Sequence, residues 1–365
     1  MSKSIWSTLP DNFTCLAPME GVTDFVFRQV IARAGRPDLF FTEFTNVSSY
    51  ASERGRMNAL ERLAVAPTDP PIIAQIWGKN PEHFAIVARD LEELGFAGID
   101  LNMGCPDRHV NAAGGGAAMI RTPDLAVECL RAAKNASSLP VSVKTRLGYT
   151  YLNEFRIWLP TLLAEHPAAL TVHLRTRKEM SKVPAHYELI PKILQFRDQC
   201  SPSTKLIING DIKNLTDIQR LREDLGLVEG SNNSMEDLSL GEEANNSGLS
   251  CAESSDGART PASESRLKSS VDGWMIGRGV FENPYCFTTH RPTHDELLAL
   301  FHLHLDLFDE YSAKLEQKTG RAPSFEPLKH YFKIYINTFP GSSELRTRLM
   351  QCHSTTEVRQ VLAAC

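Results

Sequence analysis

A cysteine in a polar loop is the first residue whose position suggests chemistry. Cys105 follows an apolar run and precedes Pro106, and three consecutive glycines follow at 114–116. A loop position of this kind suits a reactive thiol better than a packed one. Because a thiol with a pKa of about 8.5 is largely protonated at neutral pH, Cys105 is predicted to act as a general acid. A nucleophile and an inert thiol are the alternatives, and no neighbouring Cys, His and Asn arrangement favours a protease-like site.

Two glycine-containing runs have the composition of a phosphate site. Gly277-Arg278-Gly279 exposes backbone N–H groups, and the Arg278 guanidinium is able to clamp a phosphate. Asn209-Gly210-Asp211 follows another apolar run and would contribute to the same place. The two runs together predict a site for a phosphate group.

Three polar residues lie within apolar, β-rich runs. Gln75 and Lys144 would supply donors to an electron-rich heterocycle, and a cation beside the pyrimidine end of a flavin stabilises the anionic reduced form. His173 would orient the ring or a ribityl chain, and its alternative role is that of a hydrogen-bonded core histidine. These residue types favour a flavin beside the phosphate site.

The residues above fall on or directly after short strands that alternate with helical patterns. Runs such as IIAQIW suit parallel strands that are covered on both faces. Eight strand–helix units within about 280 residues favour a (β/α)8 barrel over an open doubly wound sheet, and such barrels carry their chemistry at the C-terminal ends of the strands. Strands are predicted at 13–17, 39–44, 72–77, 98–102, 141–145, 170–173, 206–209 and 274–276, and helices at 81–94, 123–134, 186–199 and 215–225.

The pattern becomes purely helical after residue 292. Helices are predicted at 293–318, 325–338, 343–350 and 354–362. Residues 311–350 contain seven basic and three acidic side chains, which either form an ordinary solvated face or bind a polyanion. The sequence therefore predicts a catalytic barrel at 1–290 and a small helical domain at 291–365.

One segment accounts for the whole net charge of −5. Residues 228–270 contain eight acidic and three basic residues and almost no aromatic or β-branched ones. Such a composition buries too little apolar surface to offset its ordering entropy, so a disordered insertion is predicted, with a phosphorylated regulatory segment as the alternative. Its position after the helix at 215–225 places it at the N-terminal rim, away from the predicted site. The remaining chain is neutral, so the overall charge does not argue against a nucleic acid partner.

No signal-type run occurs at the start of the chain, and no stretch approaches the roughly 18 apolar residues of a membrane span. We expect a cytoplasmic monomer with no membrane partner. The eight cysteines include no C-x-x-C pair, so no metal site is predicted.

Taken together, the motifs resemble the tRNA-dihydrouridine synthases, which are flavin-dependent barrel enzymes with a helical tRNA-binding domain. The similar runs extend in order over residues 16–284, and GIDLNMGCP followed by the GGGAAMI loop is the most specific of them. TEF, the long unpatterned stretch after it and GGGA are most similar to the bacterial branch that acts on uridine 16 of the D-loop. The other runs are APMEGVTD, AQIWG, VSVKTRLG, HLRTR, IINGDI and MIGRGVFENP.

The resemblance implies a mechanism and a set of site residues. FMN, reduced by NADPH, passes hydride to C6 of a uracil while Cys105 protonates C5, and the base is extruded from folded tRNA to reach the site. Asn102 and Arg175 would hold the uracil, and Lys329 and Lys333 of the basic helical region would bind tRNA phosphates. The implied FMN contacts are Pro18, Met19, Glu20, Gln75, Lys144, His173, Asn209, Gly210, Asp211, Gly277 and Arg278.

Besides the insertion at 228–270, the sequence departs from the family pattern at two places. Leu174 replaces the glycine of the usual HGRT run, and residues 178–181 lack the EQGY-like run of the uridine-16 branch. Three other functions remain open: a flavoenzyme for a small pyrimidine, such as a dihydroorotate oxidoreductase; a catalytically silent tRNA-binding chaperone; and an aldolase with Lys144 as a Schiff-base lysine. The basic helical region disfavours the first, and Cys105 and the flavin set disfavour the other two.

Overall fold

The computed structural model describes residues 4–59, 61–66, 69–227, 270–337 and 339–364. Within these residues one sheet of parallel strands runs in the order β1-β9-β8-β7-β6-β5-β4-β2, with β3 also paired to β4. The strands are β1 Phe13–Leu16, β2 Phe40–Phe41, β3 Thr45–Asn46, β4 Ile72–Trp77, β5 Gly98–Met103, β6 Val141–Gly148, β7 Ala169–Thr176, β8 Lys205–Asn209 and β9 Gly273–Ile276.

The sheet closes into a barrel. A parallel bridge joins Cys15 of β1 to Leu39, the residue before β2, and so connects the two ends of the strand order. Because β2 and β3 both pair with β4, they occupy a single strand position of the barrel. The described barrel therefore has eight strand positions. The predicted (β/α)8 architecture is confirmed. The strand predicted at 39–44 is shortened to β2, and β3 follows it beyond the predicted end.

Helices cover the outside of the barrel, which explains why the strands are apolar on both faces. Asn80 and Asn214 cap α4 and α9 through their side-chain oxygens, and Pro81 occupies the first turn of α4. The described helices of the barrel are α1 Phe25–Gly35, α2 Val47–Tyr50, α3 Glu53–Ala59, α4 Pro81–Glu93, α5 Arg108–Ala112, α6 Pro123–Ala136, α7 Phe155–Leu163, α8 Ile190–Cys200, α9 Leu215–Asp224 and α10 Gly279–Glu282.

The stretch from 43 to 70, where the sequence predicts no helix, contains α2 and α3. Each is only one or two turns long, and isolated helices of that length are unstable without tertiary contacts. Val47 and Tyr50 of α2 are buried against the barrel, which supplies those contacts. The two helices therefore depend on packing contacts with the barrel, and no local sequence pattern predicts them.

Apolar side chains fill the end of the barrel at which the strands begin. Phe13, Leu39, Phe41, Ile73 and Met275 meet there, with Trp6 covering them from outside. Because this end is packed, the barrel interior is accessible from the C-terminal ends of the strands.

The helical region begins at Thr293, whose side chain forms a capping box with Glu296, and its first helix ends at Gly320 in the left-handed conformation. The predicted helix at 325–338 is instead a 3₁₀ helix, Glu326–Tyr331, followed by a single α-helical turn, and residue 338 lies outside the described residues. The helices are α11 His294–Thr319, α12 Phe332–Tyr335, α13 Ser342–Met350 and α14 Thr355–Ala363.

Residues 228–269 lie outside the described part, so the predicted disordered insertion stays a prediction. The described chain stops at Leu227, just after α9, and resumes at Ser270, just before β9. Both points lie at the rim where the strands begin, which agrees with the predicted side of the barrel. No helix among the described residues has the length and apolarity needed to cross a bilayer.

Candidate active site

A cavity of about 250 Å³ opens at the C-terminal ends of the strands. Loops after β1, β5, β8 and β9 form its wall, and side chains of β4, β6 and β7 point into it. Twelve residues that the sequence singled out line it together: Pro18, Met19, Gln75, Asn102, Cys105, Lys144, His173, Asn209, Gly210, Asp211, Gly277 and Arg278.

A buried chain of hydrogen bonds orients the amide of Gln75. Asp100 accepts from Ser142 Oγ at 2.6 Å and from Gln75 Nε2 at 2.7 Å, and Gln75 Oε1 accepts from Asn102 Nδ2 at 3.0 Å. Asn102 Oδ1 in turn accepts the backbone N–H groups of Gly104 and Cys105. Since the backbone donors and the carboxylate fix the direction of every bond, each amide has one defined orientation and one remaining N–H.

Lys144 and His173 bring buried polar atoms to the cavity. Burial, reinforced by the charge of Arg146, lowers the pKa of Lys144 to about 8, and its ammonium bonds to Asn209 Oδ1 at 3.2 Å. Burial also lowers the pKa of His173 well below its usual range, so the imidazole is neutral. His173 Nδ1 is buried and has no hydrogen-bond partner among the described residues. An unsatisfied buried nitrogen and a cation with spare donors suit a polar heterocycle in this cavity.

Cys105 has a fixed backbone and a half-buried thiol. Its N–H donates to Asn102 Oδ1 at 2.9 Å, and its carbonyl accepts from Ala117 N at 3.0 Å and Asn111 Nδ2 at 2.8 Å. Burial raises the pKa of the thiol above its ordinary value, although Lys144 and Arg146 act in the opposite direction. Cys105 is therefore protonated at neutral pH, as a proton donor must be.

The loops after β8 and β9 meet backbone to backbone. A Cβ placed on Gly279 would lie 2.3 Å from the carbonyl oxygen of Lys213, so only glycine permits this approach. Gly210 and Asp211 adopt positive φ angles of 126° and 52°, which turn the first loop toward the second. Arg278, 67% exposed, places a guanidinium 3.6 Å from Asp211 at the mouth of the cavity. The convergence of the loops after β8 and β9 agrees with the predicted phosphate site.

Arg175 is not among the residues that line the cavity, and it contacts Asp211, which does line it. Its side chain is 2% exposed, Nε donates to the Val183 carbonyl at 2.6 Å, and Nη2 pairs with the Asp211 carboxylate. Nη1 of Arg175 is buried and has no hydrogen-bond partner among the described residues, so the predicted contact of Arg175 with the substrate stays a prediction. Because Asp211 also accepts from Ala185 N, its carboxylate is committed and its pKa is held down by Arg175 despite partial burial.

A second cavity, of about 560 Å³, adjoins the first and shares Phe44 and Cys105 with it. Glu20 lines this second cavity, where its carboxylate pairs with Arg62, and it is not among the residues that line the first cavity. The predicted contact of Glu20 with the cofactor stays a prediction. Burial raises the pKa of the neighbouring Glu43 to about 7.

The two lysines predicted to bind tRNA have different environments. Lys333 is exposed on α12. Lys329 is only 9% exposed, its ammonium pairs with Glu326 at 2.9 Å, and it lies over the ring of Phe325. Lys329 therefore has a structural partner already, and its predicted phosphate contact conflicts with that burial.

Leu174, the departure from the glycine of HGRT, is buried in the outer core because strand alternation directs it away from His173.

Three residues of the site have no assigned role in the sequence predictions, although each lies in one of the quoted runs. Asp100 is a fully buried carboxylate in the apolar run GIDL, and a charged residue in such a run is itself a signal, since isolated buried charges are costly. Arg146 ties the loops together through the carbonyls of Gly104, Thr176 and Met180. Phe44 ends the TEF run, to which no role at the site was assigned.

Known proteins resemble the whole of this chain. The model of the family described as dihydrouridine synthase matches residues 15–230 and 259–365. A "Probable tRNA-dihydrouridine synthase 2" of Bacillus subtilis is 44% identical over 364 residues, covering 99% of this chain and 96% of that protein. A "Probable tRNA-dihydrouridine synthase" of Staphylococcus epidermidis and one of Staphylococcus aureus are each 42% identical over 364 residues, covering 96% and 95% of those proteins. The similarity extends over the barrel and the helical region alike.

Proposed function

The chain belongs to the dihydrouridine synthase family, and from that premise we propose that it is an FMN-dependent oxidoreductase that reduces a uridine of the tRNA D-loop to 5,6-dihydrouridine with NADPH. The observation that carries the proposal is a single cavity in which Cys105 faces Lys144, His173 and the converging loops at Gly210 and Gly277.

FMN fits the residues of this cavity. The buried, unpartnered His173 Nδ1 and the spare donors of Lys144 suit the polar edge of a flavin, and the Arg278 guanidinium suits its phosphate. The second N–H of the oriented Gln75 amide supplies one more donor. The chemistry that bound FMN supplies is hydride transfer, from NADPH and then to C6 of the uracil.

The chain's own residues supply the proton and the positioning. Cys105 Sγ–H donates its proton to C5 as the hydride reaches C6, and solvent then reprotonates the thiolate. Asn102 holds the Cys105 backbone through Oδ1 and keeps one N–H of its amide for the uracil. Extrusion of the base from its stack is required because the thiol lies inside the cavity mouth.

Position 16 is the proposed target within the D-loop. The proposal rests on the TEF and GGGA runs, while residues 178–181 differ from the run expected of that branch. FMN, NADPH and tRNA are the proposed partners of a cytoplasmic enzyme with a barrel domain at 1–290 and a helical domain at 291–365.

The test uses the purified full chain and tRNA transcripts. We expect a flavin absorption spectrum, NADPH-dependent formation of one dihydrouridine per tRNA, and loss of the product when uridine 16 is replaced by cytidine. Product at another uridine would refute position 16 alone. A protein that cannot be reconstituted with FMN, or that reduces a free pyrimidine in preference to tRNA, would refute the function.

A further inference from the structure

Two arginines from different loops are held on one tyrosine at the rim of the catalytic face. The guanidinium carbons of Arg121 and Arg177 lie 5.1 and 5.4 Å from the centre of the Tyr149 ring. Arg121 ends the 3₁₀ helix Gly116–Arg121 that follows β5, whereas Tyr149 and Arg177 follow directly after β6 and β7. Three consecutive loops of the barrel thus contribute to one cluster, which we name the arginine–tyrosine stack.

Backbone hydrogen bonds make the stack rigid. Arg177 N donates to the Gly148 carbonyl at 2.8 Å, and Lys178 N donates to the Tyr149 carbonyl at 2.9 Å. Ala117 N donates to the Cys105 carbonyl at 3.0 Å, so the 3₁₀ helix that carries Arg121 starts at the proton donor. With a rise of about 2 Å per residue, this helix spans roughly 10 Å from Gly116 to Arg121. The stack is therefore fixed at a short distance from the reacting thiol.

The positive charge of the stack is not neutralised within the described residues. Neither Arg121 nor Arg177 forms a salt bridge with a described carboxylate, and Arg177 Nε is buried without a hydrogen-bond partner there. Two acidic side chains close in sequence to Tyr149 and Arg177 are engaged elsewhere. Glu154 accepts N–H groups of residues 149–151, and Glu179 accepts from Thr176 N and pairs with His186. Lys178 and Lys182, both exposed, add to the same rim.

The arrangement suits phosphates of a nucleic acid backbone. A guanidinium whose face rests on an aromatic ring keeps its edge N–H groups free for an anion and loses little side-chain entropy on binding. Uncompensated cations beside a cleft also attract a polyanion over distance. We propose that the arginine–tyrosine stack, with Lys178 and Lys182, binds backbone phosphates of the tRNA beside the nucleotide that enters the cavity. The inference rests on the proposed function and adds a barrel surface to the basic helical region.

The experiment measures tRNA affinity as a function of salt. The double variant Arg121→Ala/Arg177→Ala is compared with wild type and with Arg33→Ala/Arg36→Ala, which removes two exposed arginines from the opposite rim, at the end of α1. We expect the stack variant to raise the Kd for tRNA at least about tenfold and to reduce the slope of log K against log salt by about 1.4–1.8, if each arginine contacts one phosphate. The control variant should match wild type in both measurements.

A second pair of variants separates positioning from charge. Tyr149→Phe keeps the ring and should bind tRNA like wild type, whereas Tyr149→Leu removes the platform under both guanidiniums and should weaken binding without changing the net charge. Flavin absorption and thermal unfolding of each variant establish that it is folded.

Each remaining outcome decides between the two proposals. Stack variants that keep the wild-type Kd and salt slope overturn this inference, as does an equal loss in the Arg33/Arg36 control. A raised KM for NADPH with unchanged tRNA binding also overturns it, because the cations would then serve the phosphates of the reductant. Wild-type protein that neither binds nor reduces tRNA refutes the proposed function instead.

Discussion

At the scale of single residues, the site combines a protonated thiol with a buried cation and an oriented amide. Burial accounts for the first two, since it raises the pKa of Cys105 and lowers that of Lys144. Asp100 accounts for the third, because its carboxylate determines which end of the Gln75 amide faces the cavity. Burial raises the pKa of Asp100 to about 6, so the carboxylate is still mostly ionised at neutral pH.

Removal of the Cys105 thiol tests the proton donor. Cys105→Ala should lower the rate of uridine reduction by about 10²–10⁴-fold, the usual contribution of a general acid, while flavin binding stays as in wild type. The measurement is single-turnover reduction of tRNA by prereduced enzyme. Cys200→Ala, which removes a thiol at the end of α8, serves as the control. Turnover by Cys105→Ala equal to wild type would exclude this thiol as the acid.

The pKa of Lys144 predicts how flavin affinity changes with pH. Below about pH 8 the side chain is cationic and attracts anionic FMN, and above it the amine is neutral. The Kd of the flavin-free protein for FMN should therefore increase as the pH rises from 7 to 9, measured by quenching of flavin fluorescence. Lys144→Arg, whose charge persists in this range, should flatten the profile. An unchanged slope in that variant would assign the pH dependence to another group.

At the scale of elements, the helical region is bonded directly to the loop that follows β1. Tyr331, at the end of the 3₁₀ helix Glu326–Tyr331, donates to the Val22 carbonyl at 2.6 Å, and its ring stacks on Phe27 of α1 with centroids 4.6 Å apart. Met19 N in the same loop is bonded to Thr23 Oγ1 at 2.9 Å. The helical region thus supports a loop that forms part of the cavity wall.

Loss of the Tyr331 hydroxyl should weaken this attachment. Tyr331→Phe removes the donor to the partly buried Val22 carbonyl and to Asp24 Oδ2, and we expect the free energy of unfolding to fall by about 1–2 kcal/mol. Urea denaturation of the flavin-bound protein provides the measurement. Tyr151→Phe changes a ring that is 67% exposed and should have no effect. Equal stability of Tyr331→Phe and wild type would mean that the ring contacts alone hold the helical region.

At the scale of the whole molecule, charge is distributed very unevenly. The net charge of −5 is contributed by the segment 228–270, and the described residues Leu227 and Ser270 lie at the rim where the strands begin. The uncompensated cations of the arginine–tyrosine stack lie at the opposite rim, beside the cavity. The net charge of the chain therefore does not indicate the local charge at either rim of the barrel.

Deletion of residues 229–269, with a short Gly/Ser linker in their place, tests this separation. We expect flavin content and turnover to stay within about twofold of wild type, because the described residues that flank the deletion lie at the rim opposite the cavity. Association with tRNA should become faster at low ionic strength, as the net charge changes from −5 to zero, and the difference should vanish at high salt. A folded variant with no turnover would place the segment at the catalytic face.

Much of the fold was predictable because it depends on local pattern. The strand at 72–77 has the predicted bounds, and the other predicted long strands and helices of the barrel differ from prediction by one to four residues at their ends, where contacts with neighbours decide the last residue. The short elements α2, α3 and β3 were not predicted, since their stability comes from burial against the barrel.

The sequence by itself determined the barrel, the order of its polar strand ends and the family, because periodicity and motif spacing are local properties of the chain. Only the tertiary structure decided which charged side chains are exposed and which are buried in an ion pair. Arg175 and Lys329 share their chemistry with Arg278 and Lys333, yet the first two are buried against Asp211 and Glu326. The arginine–tyrosine stack likewise joins residues 28 and 56 positions apart in sequence. Whether a charge is available to a ligand depends on its partners in space, and the chain order does not contain that information.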